Sequence, residues 1–181
     1  MIQAVSKFIL NTLGWRLDLH PKPWPDKYII IVIPHTSNWD FPLGLLVREA
    51  MDEDIRYVGK DSLFKSPFGF LFRWLGGIPV DRSRRNKFVD AVVDKFEESE
   101  HMKICIAPEG TRKRVEKLKT GFYYIAKGAE VPIIFCKFDY GKKVIGTSEP
   151  YYTTESMEAD FAAIYEYFKG VEGKVPGYSF N

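Results

Sequence analysis

Apolar and polar positions along this chain switch between two periods. Tyr28-Ile29-Ile30-Ile31-Val32-Ile33 is apolar without a break and β-branched after the tyrosine, which predicts a strand buried on both faces and ended by Pro34. Lys103 to Ala107 and Val131 to Phe138 read as further core strands, with shorter ones at Ile55 to Val58, at Ile78 to Val80 and at Lys143 to Gly146, beyond a turn at Tyr140-Gly141. Between them the period becomes helical. Ile2, Val5, Phe8, Ile9 and Leu13 predict an amphipathic helix from Met1 to about Leu13, within an N-terminal segment 1–19. Helices follow over Phe41 to Met51, over Asn86 to Ser99, over Phe122 to Gly128 and around Met157 to Phe168. Pro21, Pro23 and Pro25 predict a stiff extended connector. The tail 170–181 is punctuated by Gly and Pro and is expected to be loosely held.

Strands alternating with helices predict one α/β domain over 1–181, with a largely parallel central sheet flanked by helices. In such sheets the loops beyond the carboxyl ends of the strands build the site. His35 and Asp40, Arg82, and Glu109-Gly110-Thr111-Arg112 all fall there, so three polar elements are expected on one edge. The stretch Leu63 to Leu75 is crowded with Phe and Leu and reads either as a membrane-facing or acyl-chain-facing patch or as a buried helix.

Composition narrows the class without naming it. At 45% hydrophobic and 28% charged over 181 residues, the chain is neither disordered nor a disulfide-dense scaffold. A net charge of +2 gives no argument for nucleic acid. The basic residues do cluster, at Arg82 to Lys87 and at Arg112 to Lys119, which suits phosphate or an anionic lipid surface as well as a solvated face. Cys105 and Cys136 sit in apolar runs and read as buried thiols, while His20 and His101 have no metal-ligand spacing, so no metal is expected. Lys7, Asn11 and Arg16 interrupt the N-terminal segment too often for a signal peptide or a span, and a cytoplasmic location is expected.

Residues five apart on a regular helix point about 140° away from each other, so His35 and Asp40 meet only if the backbone bends between them. Pro42 is tolerated only in a first helical turn, which places a helix start near Asp40 and His35 in the loop before it. There Asp40 either orients the imidazole as a base or simply caps the helix.

Four blocks in order resolve the choice by resemblance. His35-Thr36-Ser37-Asn38-Trp39-Asp40 resembles the His-x4-Asp motif of the glycerolipid acyltransferases of the lysophosphatidic acid acyltransferase type. Gly77-Ile78-Pro79-Val80-Asp81-Arg82 is similar to their second block, Ala107-Pro108-Glu109-Gly110-Thr111-Arg112 to their Pro-Glu-Gly-Thr-Arg block, and Val131-Pro132-Ile133-Ile134 to their apolar fourth. The resemblance runs from about Ile29 to Phe135. It implies transfer of a fatty acyl group from an acyl thioester, on coenzyme A or acyl carrier protein, to a hydroxyl of a glycerol-phosphate or lysophospholipid-like acceptor, with no bound cofactor.

On that reading His35 is the general base and Asp40 its orienter. Arg82 and Arg112 suit the acceptor's phosphate, Gly110 and Thr111 line it, and Glu109 takes an acceptor hydroxyl or orients an arginine. Asp81 beside Arg82 departs from a purely cationic phosphate site, so the acceptor stays open among glycerol phosphate, a lysophospholipid and another lipid hydroxyl or amine. The chain lacks long hydrophobic N-terminal segments, and peripheral contact with the inner face of a membrane is expected through the first helix or Leu63 to Leu75. Two other classes compete: a non-catalytic lipid-binding protein on the same scaffold, and a thioesterase-like hydrolase.

Overall fold

A computed structural model describes residues 2–80 and 85–180. Seven strands form one sheet: β1 (Arg16–Asp18), β2 (Lys27–Ile33), β3 (Ile55–Lys60), β4 (Gly77–Val80), β5 (Met102–Ile106), β6 (Ile133–Asp139) and β7 (Val144–Thr147), in the order β1-β7-β6-β2-β5-β3-β4. Every neighbouring pair is parallel except the β6–β7 hairpin. The expected single α/β domain with a largely parallel sheet is what the chain forms. β1 is an addition, since three residues with an alternating exposed pattern carry no hydrophobic run to announce an edge strand.

β2 lies at the centre because it is apolar on both faces. Ile29, Ile31 and Ile33 pack into one layer with α5 (Arg85–Glu98), α6 (Gly121–Gly128) and α7 (Met157–Phe168). Tyr28 and Ile30 face the other way, toward α1 (Ile2–Thr12) and α2 (Asp40–Met51). A period of two with both phases apolar is the signature of a strand covered on both sides.

α1 does pack on the domain, through Ser6 and Leu10, but leaves Ile2, Val5, Phe8 and Leu13 exposed. Trp15, just beyond α1, is buried edge-on against Tyr140 at 4.9 Å between ring centroids. The stretch from Leu63 forms two short helices, α3 (Asp61–Phe64) and α4 (Gly69–Trp74), rather than one buried helix. Phe64 is the one large side chain buried there, lying against Gly59 and Gly77 on adjacent strands, where any Cβ would stand 2.9 and 2.7 Å from its ring. Phe68, Phe70, Leu71 and Trp74 are exposed.

The tail also departs from its expectation. Val171, Ser179 and Phe180 are buried; Gly173 N–H donates to Ser179 Oγ at 2.8 Å, and Val175 N–H donates to Thr36 Oγ1 at 3.2 Å. Its Gly and Pro residues shape a tight path, through a short 3₁₀ turn at Pro176–Tyr178, and do not loosen it. Gly173 passes so close to Thr36 that a Cβ would lie 2.6 Å from its side chain. Replacing Phe180 by Ala, at a site 8% exposed beside Tyr165, is expected to lower stability by about 3 kcal/mol in urea unfolding. A tail free of the core would give no change.

Candidate active site

β2 delivers the chain to the carboxyl edge of the sheet, Pro34 stops it, and α2 begins at Asp40 with Pro42 in its first turn. Trp39 occupies the N-cap position without a side-chain cap. Asp40 is therefore not the cap. Its carboxylate turns back into the loop, where Oδ2 accepts the N–H of Thr36 at 2.9 Å and of Ser37 at 2.8 Å, and meets His35 Nδ1 at 3.1 Å. The bend that a five-residue spacing demands is thus wound around the carboxylate it serves. Oδ1 accepts the hydroxyl of Tyr140 at 2.7 Å.

Asp40 is 4% exposed. Burial by itself would raise its pKa, but the bonds from His35, Ser37 and Tyr140 outweigh that and hold it below its ordinary value. An ionised carboxylate can only accept, so Nδ1 carries the ring proton on neutral His35 and Nε2 offers its lone pair.

Glu109 is the second buried carboxyl, 2% exposed, and its Oε2 accepts the backbone N–H of His35 at 2.6 Å. It ties the turn after β5 to the loop after β2. The expected bond to an arginine is not there among the described residues; the partner is the backbone of the dyad's own loop. Burial, reinforced by the Asp40 charge, pushes Glu109 up from 4.5 to about 7 against the opposing effect of His35.

The remaining members of that block make no hydrogen bond to His35 or Asp40 among the described residues. Gly110 has φ +65° and the Lys119 side chain fills the place of its missing Cβ. Thr111 and Arg112 are exposed, and Thr111 Oγ1 accepts the Lys113 N–H at 3.3 Å. Arg82 lies outside the described residues. Of the elements expected on one edge, the structure joins His35, Asp40 and Glu109. His20 and His101 stand apart, the first stacked edge-on with Trp24 and the second paired with Asp26.

Sequence reasoning missed Tyr140. The signal was a β6–β7 hairpin beside β2: pairing of Ile33 with Lys137 carries the next few residues of β6 past the end of β2, and so to the dyad.

A cavity of about 190 Å³ runs between α2 and the sheet. His35 and Asp40 line it together with Gly44, Val47, Met51 and Ile55, and its lining is mostly apolar. Both cysteines also reach it; burial pushes Cys105 up to about 12 and raises Cys136 further, so neither is a thiolate nucleophile near neutral pH.

The Glu109 environment sets a pH dependence. A carboxyl whose folded pKa is raised contributes stability below its unfolded value of 4.5 that is lost as pH rises through about 7. Between pH 5 and 8 the wild-type chain is expected to lose up to about 3 kcal/mol from this group. Glu109→Gln keeps an acceptor for His35 N–H and should flatten that slope in urea titrations. An unchanged slope would mean that Glu109 ionises in the folded chain as it does in the unfolded one.

Comparison with known proteins bears on the same residues. The family model described as Acyltransferase matches residues 18–138, two thirds of the chain, including the loop of His35 and Asp40 and the turn of Glu109. Human 1-acyl-sn-glycerol-3-phosphate acyltransferase beta is 31% identical over 135 residues, covering 71% of this chain and 47% of that protein. The chain thus spans about half the length of this curated relative. The crystal structure of the 1-acyl-sn-glycerophosphate (LPA) acyltransferase PlsC from Thermotoga maritima superposes with a TM-score of 0.63 at 20% identity, over 92% of this chain and 74% of that one, and so shares its fold. With the family match spanning the loop of His35 and Asp40 and the turn of Glu109, the chain belongs to the Acyltransferase family.

Proposed function

We propose that the protein is a glycerolipid O-acyltransferase of the lysophosphatidic acid acyltransferase type. It moves a fatty acyl group from a thioester on coenzyme A or acyl carrier protein to a hydroxyl of a glycerol-phosphate or lysophospholipid-like acceptor. The observation that carries this reading is an imidazole held through Nδ1 by a buried carboxylate at 3.1 Å, on the lining of an apolar cavity. The human relative's name supplies the glycerolipid class.

In this mechanism His35 Nε2 takes the proton of the acceptor hydroxyl as its oxygen attacks the thioester carbonyl. The tetrahedral intermediate collapses, the C–S bond breaks, and the imidazolium returns the proton to the departing thiolate. Asp40 keeps the ring in its working tautomer and stabilises its charged form. No protein nucleophile intervenes, in keeping with thiols whose pKa burial raises. The N–H groups of Thr36 and Ser37 are committed to Asp40, so the oxyanion takes its donors elsewhere. Arg82 and Arg112 bind the acceptor's phosphate, with Gly110 and Thr111 beside it. Glu109 acts on the loop, fixing the backbone of His35.

The acyl chain occupies the cavity, with Gly44 leaving it open: a Cβ there would meet only Phe138, at 3.9 Å. The protein works peripherally at the inner face of a membrane. Among the described residues no helix is long and apolar enough to cross one. Support for surface contact comes from α1 and α4, both on the α2 side of the sheet, with Phe8 70%, Phe70 71% and Trp74 80% exposed.

His35→Ala is expected to lower acceptor-dependent thiol release from an acyl thioester by about 10²–10⁴-fold with the fold intact; retained turnover would remove His35 as the base. Release at full rate without acceptor would favour a hydrolase. Gly44→Leu should cut kcat/KM for long acyl chains about tenfold or more while sparing short ones, and an equal loss on both would place the chain outside the cavity. Phe70→Ser with Trp74→Ser should weaken sedimentation with anionic vesicles several-fold; unchanged binding would leave α1 as the contact.

A further inference from the structure

The two oxygens of Asp40 are treated differently by their surroundings. Three donors converge on Oδ2, namely His35 Nδ1 and the N–H groups of Thr36 and Ser37, all from the loop itself. Among the described residues Oδ1 has one, the Tyr140 hydroxyl at 2.7 Å, from a residue 100 positions away. A partial turn of the carboxylate about its Cβ–Cγ bond would swing Oδ2 out of line with His35 Nδ1. The phenol opposes that turn from the side the loop does not reach.

We propose that Tyr140 is a positioning residue of the catalytic dyad, holding Oδ1 of Asp40 so that Oδ2 stays aligned on His35 Nδ1. The inference rests on the acyltransferase reading for its kinetic consequence. It rests for its geometry on the structure alone, because Tyr140 lies two residues beyond the span that the family model matches.

The ring is held as a positioning residue must be. Trp15 packs edge-on against it at 4.9 Å, Lys174 Nζ sits 5.8 Å from its centroid, and its backbone N–H donates to Glu172 C=O at 2.7 Å. α1's following turn, the β6–β7 hairpin and the C-terminal segment thus all fix one side chain. The hydroxyl proton is committed to Asp40, so Tyr140 orients the dyad and does not itself serve the substrate as an acid. Burial and the adjacent carboxylate raise its pKa, which keeps it a donor throughout the working range. The charged and titratable groups around the pair include His35, Glu109 on the His35 N–H, Lys174 over the rings of both Tyr140 and Trp39, and Lys143 over Trp15.

A double-mutant cycle tests this with an acyl thioester and lysophosphatidic acid. Tyr140→Phe, which keeps the ring on Trp15, should lower kcat about tenfold while changing KM for the thioester less than about twofold. In an Asp40→Asn background the same substitution should change kcat less than about twofold, because the oxygen it held is no longer a carboxylate's. Tyr140→Leu, which also lacks the hydroxyl, should show the same coupling. Urea midpoints of the same variants read the bond without turnover: Tyr140→Phe should lower the midpoint in the wild-type background and leave it unmoved with Asp40→Asn.

A kcat within twofold of wild type in Tyr140→Phe, or a full multiplicative loss in both backgrounds, would overturn the proposal. Coupled midpoints without coupled kcat would also overturn it, reducing Tyr140 to a structural bond. Wild-type protein inert toward every thioester would defeat the acyltransferase reading, and the midpoints would then still judge the bond to Asp40.

Discussion

Asp40 is the charge around which the dyad's loop is arranged. Removing a carboxylate from water costs several kcal/mol unless donors replace the lost hydration. At 4% exposure Asp40 is satisfied by two loop N–H groups, an imidazole and a phenol. Each donor has a second consequence. The N–H groups fix the bend from β2 into α2, the imidazole gains one tautomer, and the phenol ties the β6–β7 hairpin to the first helix that follows the central strand. The same four bonds that make burial tolerable leave Nε2 of the neutral His35 ring unprotonated, as the proposed base requires.

The second carboxyl works by the opposite balance. Glu109 holds the His35 backbone, yet has too few donors to offset its burial, so its pKa rises where that of Asp40 falls. Two acidic groups within one loop cluster therefore shift in opposite directions for a reason visible in their hydrogen bonds. The cavity behind them depends on the parallel sheet: α2 must run back along the strands from the carboxyl edge, and Gly44 and Val47 leave space between it and the sheet.

Much of this was legible in residue order. The unbroken run before Pro34 marks the central strand, Pro42 marks the helix start, and the spacing of His35 and Asp40 demands the bend that the structure shows. The partner of Glu109 was not legible, because a backbone N–H leaves no trace in side-chain identity. Tyr140 was read only as part of a turn, since its role depends on the register of β6 against β2. β1 was too short for periodicity, and the docked tail carries its buried Val171 and Phe180 too far apart to form a pattern. In the stretch from Leu63, a hydrophobic count could not separate one buried phenylalanine from several exposed ones; that depended on glycines in two strands.

The central claim, that Asp40 fixes His35 with Nδ1 protonated and Nε2 unprotonated, is open to direct observation. Long-range ¹H–¹⁵N spectra of the imidazoles, at a pH where the ring is neutral and with His35 identified by its loss in His35→Gln, report the tautomer. His35 is expected in the Nδ1–H form. A neutral ring carrying its proton on Nε2 would contradict it, because that nitrogen could not then accept the acceptor's proton.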